Sequence, residues 1–403
     1  MVTTSYPRFP GDSVGTFMEP IAKGIAARGH EVHVVAPWHP LVTRGAIEDG
    51  VHFHFYKYAP VASLNVFGYA AAMKADVSLK TAAFLSAPLA LAAGWRTARK
   101  IARRHGATIM HGHWVIPGGV TAAAAAPGRP LVISLHGSDV YVAERLKPAG
   151  MAARAAFRRA GFVTACSANL ATRAVALGAD ISRIAVVPYG VDAARFRPDA
   201  EAAARLRAEL RVPADLPLIA AAGRLVRKKG FEYLIDALAL VPRAVLVLAG
   251  DGTLGEELRA RAASAGVADR VRFLGDRSQD HVAALFAAAD LIAIPSVRDE
   301  SGNVDGLPNA VMEALASGTA LITTSAGGIA AVVEHDRTAI VVAERDAEAL
   351  GLAITRALGD PVLRKTLGAA ARQLVQARFG WQQTAEQFES AYRHALAFNS
   401  KRR

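Results

Sequence analysis

Apolar runs of strand length alternate with Ala-, Leu- and Arg-rich helical stretches along this chain, and the alternation starts again halfway. Residues 31–36, 107–111, 130–135, 161–166 and 184–188 read as short buried strands, and residues 216–222, 244–249, 271–274, 291–295, 320–324 and 339–342 repeat the pattern. Short runs with little polar alternation suit strands covered on both faces, and a strand-helix-strand order joins them in parallel through right-handed crossovers. Two such series predict an α/β protein of two doubly wound, Rossmann-like domains. The 403 residues leave room for both, at about 100 to 200 residues per domain. We place the domains at residues 1–195 and 196–375, followed by a C-terminal helix over 376–403 that would pack back on the first domain. Residues 195–217, rich in Pro, Asp and Ala, read as the junction.

The start of the chain departs from this pattern. A doubly wound sheet opens on a strand with several apolar residues, yet only Met1 to Ser5 precede Tyr6-Pro7-Arg8, so the first strand looks cut short. An upstream start or an abbreviated strand would each account for it. Hydrophobic residues at 52% with charged residues at 20% exclude a disordered or coiled-coil chain. Cys166 is the single cysteine, and no Cys/His run has zinc-ligand spacing, which excludes a disulfide scaffold and a zinc module; a reducing cytoplasm is the expected location. The longest apolar stretch, residues 81–95, is closed by Lys80 and Arg96 and holds Pro88, short of the 18 or more residues of a spanning helix. No basic start followed by an apolar run and a cleavage site suggests a secretory leader.

Charge is lopsided. Residues 1–195 carry 21 Lys+Arg against 10 Asp+Glu, whereas residues 196–403 carry 26 against 25. A one-sided basic field suits an anionic partner: nucleic acid, an anionic membrane face or a phosphate-bearing substrate. Nucleic acid is not expected, because no stacking aromatics are interleaved with the charge and no reading module is present.

Gly250-Asp251-Gly252-Thr253-Leu254-Gly255 matches a nicotinamide-binding fingerprint, with Asp276 further on. It lies on the second strand of its domain, and Asp251 would set a carboxylate beside the pyrophosphate, so we do not adopt that reading. A better anion site lies one strand earlier. The turn Gly223-Arg224-Leu225-Val226-Arg227-Lys228-Lys229-Gly230 places fixed cations at a strand's carboxyl end, where open parallel sheets bind ligands and where a leaving diphosphate needs positive charge. A third element follows the strand at 291–295. From Asp305 to Glu313, eight residues on, a helix begins; Leu307, Pro308 and Asn309 would present backbone N–H groups to an anion, Glu313 would accept from ribose hydroxyls, and Asp305 would take sugar hydroxyls.

Together, Gly223-Arg224 with Lys229-Gly230, Gly250-Asp251-Gly252, Arg272-Phe273-Leu274-Gly275, and Asp305 to Ala316 with Gly327-Gly328 resemble the retaining glycosyltransferases of family 4, also called group 1. The first half agrees: residues 11–35, His113-Trp114 with Pro117-Gly118, Leu135-His136-Gly137-Ser138-Asp139, and Pro188-Tyr189-Gly190-Val191-Asp192 with Phe196 and Pro198 are similar to that family's acceptor-side motifs. The resemblance implies a GT-B architecture, two Rossmann-like domains facing a cleft. It implies that Arg224 and Lys229 hold the donor diphosphate, that Glu313 holds the ribose, that Gly15 lets a first-domain loop approach the phosphates, and that His136 sits beside the transferred sugar. Asp305 stands where the family's E-x7-E motif has its first glutamate, one methylene shorter.

By the same resemblance the donor is a nucleotide-diphosphate sugar and the acceptor is a hydroxyl of a glycan or lipid-linked molecule. Configuration would be retained, and protein cations would neutralise the leaving group without a bound metal or other cofactor. Arg96, Arg99, Lys100, Arg103 and Arg104, with Arg154, Arg158 and Arg159, suit a lipid-phosphate acceptor at the inner, anionic face of a membrane, with surface polysaccharide assembly as the role. The alternative is a non-catalytic nucleotide-sugar-binding partner protein, for which Asp305 gives the only foothold.

Overall fold

Parallel strand pairing organises both halves of the chain in the computed structural model, which describes residues 1–12, 14–65, 67–69, 73–75, 78–79 and 81–401. Two units result, one of Met1–Pro188 with Trp381–Arg403 and one of Tyr189–Gly380. The chain thus divides at Pro188 and Gly380, a few residues from the sequence estimates of 195 and 375. Lys80, read as one boundary of the long apolar stretch, lies outside the described residues.

In the first unit the chain runs through α1 (Met18–Ala26), β1 (Val32–Pro37), β2 (Val51–Tyr56), α2 (Thr81–Arg104), β3 (Met110–His113), β4 (Leu131–Leu135), α3 (Ser138–Arg145), α4 (Lys147–Arg159), β5 (Phe162–Ala165) and β6 (Ile184–Val186). β2 pairs with β1, and β3 to β6 pair in sequence order, all in parallel. Val2 joins the two groups, forming parallel bridges to both Val35 and Gly112. The Val2 amide donates to the His111 carbonyl at 2.8 Å and that of Thr3 to the Val35 carbonyl at 3.0 Å. The short opening segment therefore occupies the middle of the sheet. β2 was not among the expected strands, although Val51-His52-Phe53-His54 alternates with the period of two that a strand requires.

The C-terminal helix (Trp381–Ser400) belongs to this unit. Phe388, Ala391, Tyr392 and Ala395 recur at the i, i+3, i+4, i+7 spacing of an apolar helix face and complete a core with Tyr6, Met18, Ile21, Val34 and Phe53. Arg28 at the end of α1 pairs with Glu389 at 2.5 Å. No helix among the described residues is long and apolar enough to cross a membrane.

The second unit runs through α5 (Ala200–Glu209), β7 (Leu218–Ala222), α6 (Phe231–Ala239), β8 (Val245–Ala249), α7 (Gly255–Ser264), β9 (Val271–Gly275), α8 (Gln279–Ala288), β10 (Leu291–Ile294), α9 (Asn309–Ser317), β11 (Leu321–Thr324) and β12 (Ile340–Val342). Its sheet order is β9-β8-β7-β10-β11-β12, with each neighbouring pair parallel. The order reverses between β7 and β10, the switch point beside which doubly wound sheets hold ligands. Ile219, Leu246, Leu291 and Ile322 build the core with Leu234, Leu238 and Ile354. Residues 195–217, read from the sequence as the junction, lie within this unit. Asp199 caps α5 by accepting from the Ala202 amide at 2.9 Å, and Arg207 holds α5 to Asp290 at 2.5 Å, so local capping and one ion pair turn a Pro- and Ala-rich segment into part of the second unit.

Candidate active site

The chain leaves β7 at Gly223, passes through the basic turn and enters α6 after Gly230, whose φ of 66° is left-handed. A Cβ there would stand 2.1 Å from the Pro295 carbonyl oxygen at the end of β10, so only glycine lets these two loops close on each other. That closure buries Lys228 and Lys229, which lysine tolerates when paired. Both pair with one carboxylate: Lys228 Nζ lies 3.0 Å from Asp305 Oδ1 and Lys229 Nζ 2.6 Å from Asp305 Oδ2. Burial alone would push the Asp305 carboxyl up, but the two ammonium groups hold it well below the usual carboxylate range. Two buried cations thus converge on one carboxylate. Arg224, on the same turn, is exposed. Lys229 and Asp305, read from the sequence as separate contacts for diphosphate and sugar, are thus partners of each other. Lys228, which sequence reasoning did not single out, is the third member.

The helix start that follows differs in one detail from expectation. Pro308 precedes the first residue of α9 as its cap and carries no amide hydrogen. The expected N–H donors therefore reduce to Leu307 and Asn309, joined by Ala310 at the second helical position. Glu313, one turn into α9, accepts from Gln279 Nε2 at 3.5 Å, and Gln279 in turn accepts from Arg195 Nη1 at 2.6 Å. Burial pushes the Glu313 carboxyl up to about 7, opposed by Gln279, Lys229 and Arg195. Arg195 and Gln279 were also missed, because residues 84 apart in an arginine-rich chain give no sequence signal of their meeting.

The glycine motif after β8 has a packing role in this unit. A Cβ at Gly250 would lie 2.0 Å from the Gly223 carbonyl oxygen, and the Leu225 amide donates to the Asp251 carbonyl at 2.9 Å. These glycines let the loop press against the basic turn from behind.

In the first unit, Gly15 accepts from the Met18 amide at 2.9 Å ahead of α1. His136 follows β4, with Nε2 3.0 Å from Nδ1 of His113 at the end of β3. Phe17 and Trp114 flank its ring at centroid distances of 4.8 and 4.7 Å, and burial pushes the His136 imidazole down to about 3, which keeps it neutral. Asp139 pins the turn, accepting from the amides of Val115 at 2.7 Å and Gly137 at 3.0 Å. Burial raises its carboxyl to about 6 against those bonds. A neutral imidazole in an aromatic wall can donate or accept one hydrogen bond to a hydroxyl without carrying charge.

Comparisons with known proteins identify the family. Residues 203–374 match the family model described as "Glycosyl transferases group 1", and residues 14–195 match that of "Glycosyltransferase Family 4". Over 268 residues, covering 64% of this chain and 69% of the other, the chain is 32% identical to a GDP-mannose-dependent alpha-(1-6)-phosphatidylinositol monomannoside mannosyltransferase of Mycolicibacterium smegmatis. It is 35% identical over 238 residues to the Mycobacterium tuberculosis protein of the same name, covering 57% of this chain and 62% of that one. The chain thus spans under two thirds of the length of that relative. In fold it is similar to sucrose-phosphate synthase of Thermosynechococcus elongatus, with a TM-score of 0.80, 22% identity and 98% of each chain covered. The chain belongs to the group 1, family 4 glycosyltransferases and has the GT-B fold.

Proposed function

We propose that the protein transfers a sugar from a nucleoside diphosphate sugar to a hydroxyl of a glycan or lipid-linked acceptor, with retention of configuration, in the assembly of surface polysaccharide. The observation that carries this reading is the buried Lys228–Asp305–Lys229 triad at the switch point, with Glu313 one turn into the next helix. Positive charge fixed before the reaction stabilises a diphosphate as the bond to it breaks. We assign the diphosphate to Arg224, Lys229 and the amides of Leu307 and Asn309 on either side of Pro308, the ribose to Glu313, the approach of a glycine loop to Gly15, and the transferred sugar to His136 and Asp305. The acceptor oxygen attacks the anomeric carbon on the face the diphosphate leaves, the C–O bond to phosphate breaks through an oxocarbenium-like state, and a phosphate oxygen takes the acceptor's proton. Because protein cations supply the neutralising charge, transfer is expected to proceed in EDTA.

The acceptor reading draws on α2, which leaves Leu85, Leu89 and Trp95 exposed beside Arg96, Arg99, Lys100, Arg103 and Arg104. Apolar and basic side chains on one exposed helix suit attachment to an anionic membrane face, and the mycobacterial relatives' names print a phosphatidylinositol mannoside acceptor and GDP-mannose donor. Incubating the full chain with GDP-mannose and other nucleotide sugars tests the reading. Slow release of free sugar and nucleoside diphosphate from one donor is expected; a thermal shift with no turnover of any donor, with and without lipid acceptors, would leave a non-catalytic nucleotide-sugar-binding protein instead.

A further inference from the structure

Away from the candidate active site, three elements of the first unit bring four histidines and a glutamate together. β1 and β2 run in parallel with His33 opposite His52 and Val35 opposite His54, so His33, His52 and His54 stand on one face of the sheet. α2 ends at Arg104, and His105 immediately beyond it reaches the same place. The His33 ring lies 4.6 Å from that of His52, 5.2 Å from that of His54 and 4.1 Å from that of His105, centroid to centroid. Glu31, two residues before His33, places Oε1 2.8 Å from His33 Nε2 and 3.5 Å from His105 Nδ1.

We propose that Glu31, His33 and His105 form a binding site for a divalent transition-metal ion of the zinc class. Their three ligand atoms lie within 4.8 Å of one another. A tetrahedral ion with metal–nitrogen and metal–oxygen bonds of about 2.0 to 2.2 Å needs ligand atoms about 3.4 Å apart, so rotations of exposed side chains close the set. Two imidazoles and one carboxylate are the donors such an ion prefers, and calcium or magnesium, which take oxygen ligands, are disfavoured. The surroundings also accommodate the tautomer that a metal needs. A metal on His33 Nε2 requires the proton on Nδ1, and Nδ1 faces His54 Nε2 at 2.9 Å, the outer hydrogen bond that orients a metal-bound histidine. The fourth position is left to water or to a small movement of His52.

The site occupies the opposite end of the sheet from His136. His33 and His52 are each the second residue of their strands, whereas His136 follows the last residue of β4, and all these strands run the same way. An ion there would tie the end of α2 to the start of β1 rather than touch the sugar. That role is independent of the transferase reading.

Titration of the untagged full chain with Zn²⁺, followed by calorimetry, tests the site, with Co²⁺ absorption in the visible as a spectroscopic signature. One ion per chain with micromolar or tighter affinity is expected, together with a rise in Tm. Glu31→Gln and His105→Gln lie at accessible positions; each is expected to weaken binding by about tenfold or more, and the double variant to abolish both the cobalt spectrum and the Tm rise while keeping the far-ultraviolet dichroism of the parent. Absence of stoichiometric binding, or unchanged affinity in the folded double variant, would overturn the assignment.

Discussion

The two units share a doubly wound scaffold and handle charge in opposite ways. The first carries 24 Lys+Arg against 11 Asp+Glu and the second 23 against 24. In the balanced second unit, Lys228 and Lys229 are buried and held on Asp305. In the basic first unit, Arg96, Lys100, Arg103 and Arg104 are exposed along α2. A net charge therefore says little about where a strong anion site lies. Strength comes from removing water around a few fixed charges, because the interaction of a charge pair grows as the effective dielectric falls, whereas an exposed field is spread out and screened within about 10 Å at 0.1 M salt.

The largest expected effects fall on the buried site. Asp305→Asn leaves two buried ammonium groups without their carboxylate and is expected to destabilise the second unit by about 3 kcal/mol or more, read as a drop in denaturation midpoint; a nucleoside diphosphate should restore more stability to this variant than to the parent. A midpoint equal to the parent's would show that the triad is not held as described. Next come Lys229→Ala and Arg224→Ala, each expected to lower turnover by roughly 10²-fold or more, the scale of losing one preorganised charge at a developing anion. Full activity in both variants would move the diphosphate away from this turn.

The exposed field should respond differently. Replacing Arg99, Arg103 and Arg104 together by glutamine is expected to weaken binding to vesicles containing anionic lipid by roughly two decades, at roughly 1 kcal/mol for each charge near the surface, while hydrolysis of the donor in solution stays unchanged. Added salt should weaken the parent in the same way, with some residual binding through Leu85, Leu89 and Trp95. Equal binding to neutral and anionic vesicles would erase the contrast between the units. The smallest effect is on pH. The Glu313 carboxyl is raised to about 7, so its contribution to stability is present below the unfolded value and lost as pH rises through 7, while ribose hydroxyls favour its ionised form. Nucleotide affinity is therefore expected to rise by about tenfold between pH 6 and pH 8, and a pH-independent affinity is expected in Glu313→Gln. The same slope in both would place the titrating group elsewhere.

Much of this was legible along the chain because local signals carry it. Apolar runs of four to six residues marked the strands of both sheets to within a few residues, and the turn from Gly223 to Gly230 and the helix start near Pro308 were visible from glycine, proline and charge at short spacing. β2 was missed although its alternation was present, since His52 and His54 stand where polar outer residues are expected. The segment 195–217 read as the junction because the cap at Asp199 and the partner of Arg207 do not show in composition.

Sequence alone determined the class of protein: two series of buried strands, a basic turn and an acid-bearing helix at the carboxyl ends of strands in one domain, all fixed by spacings shorter than a helix. Tertiary structure alone decided which charges meet. Lys228 and Lys229 lie 77 and 76 residues from Asp305, and His105 lies 72 residues from His33; the order in which parallel strands pair sets these encounters. The physical reason is that strand and helix periodicity act over a few residues, whereas burial, ion pairing and metal ligation depend on which loops the sheet order brings together.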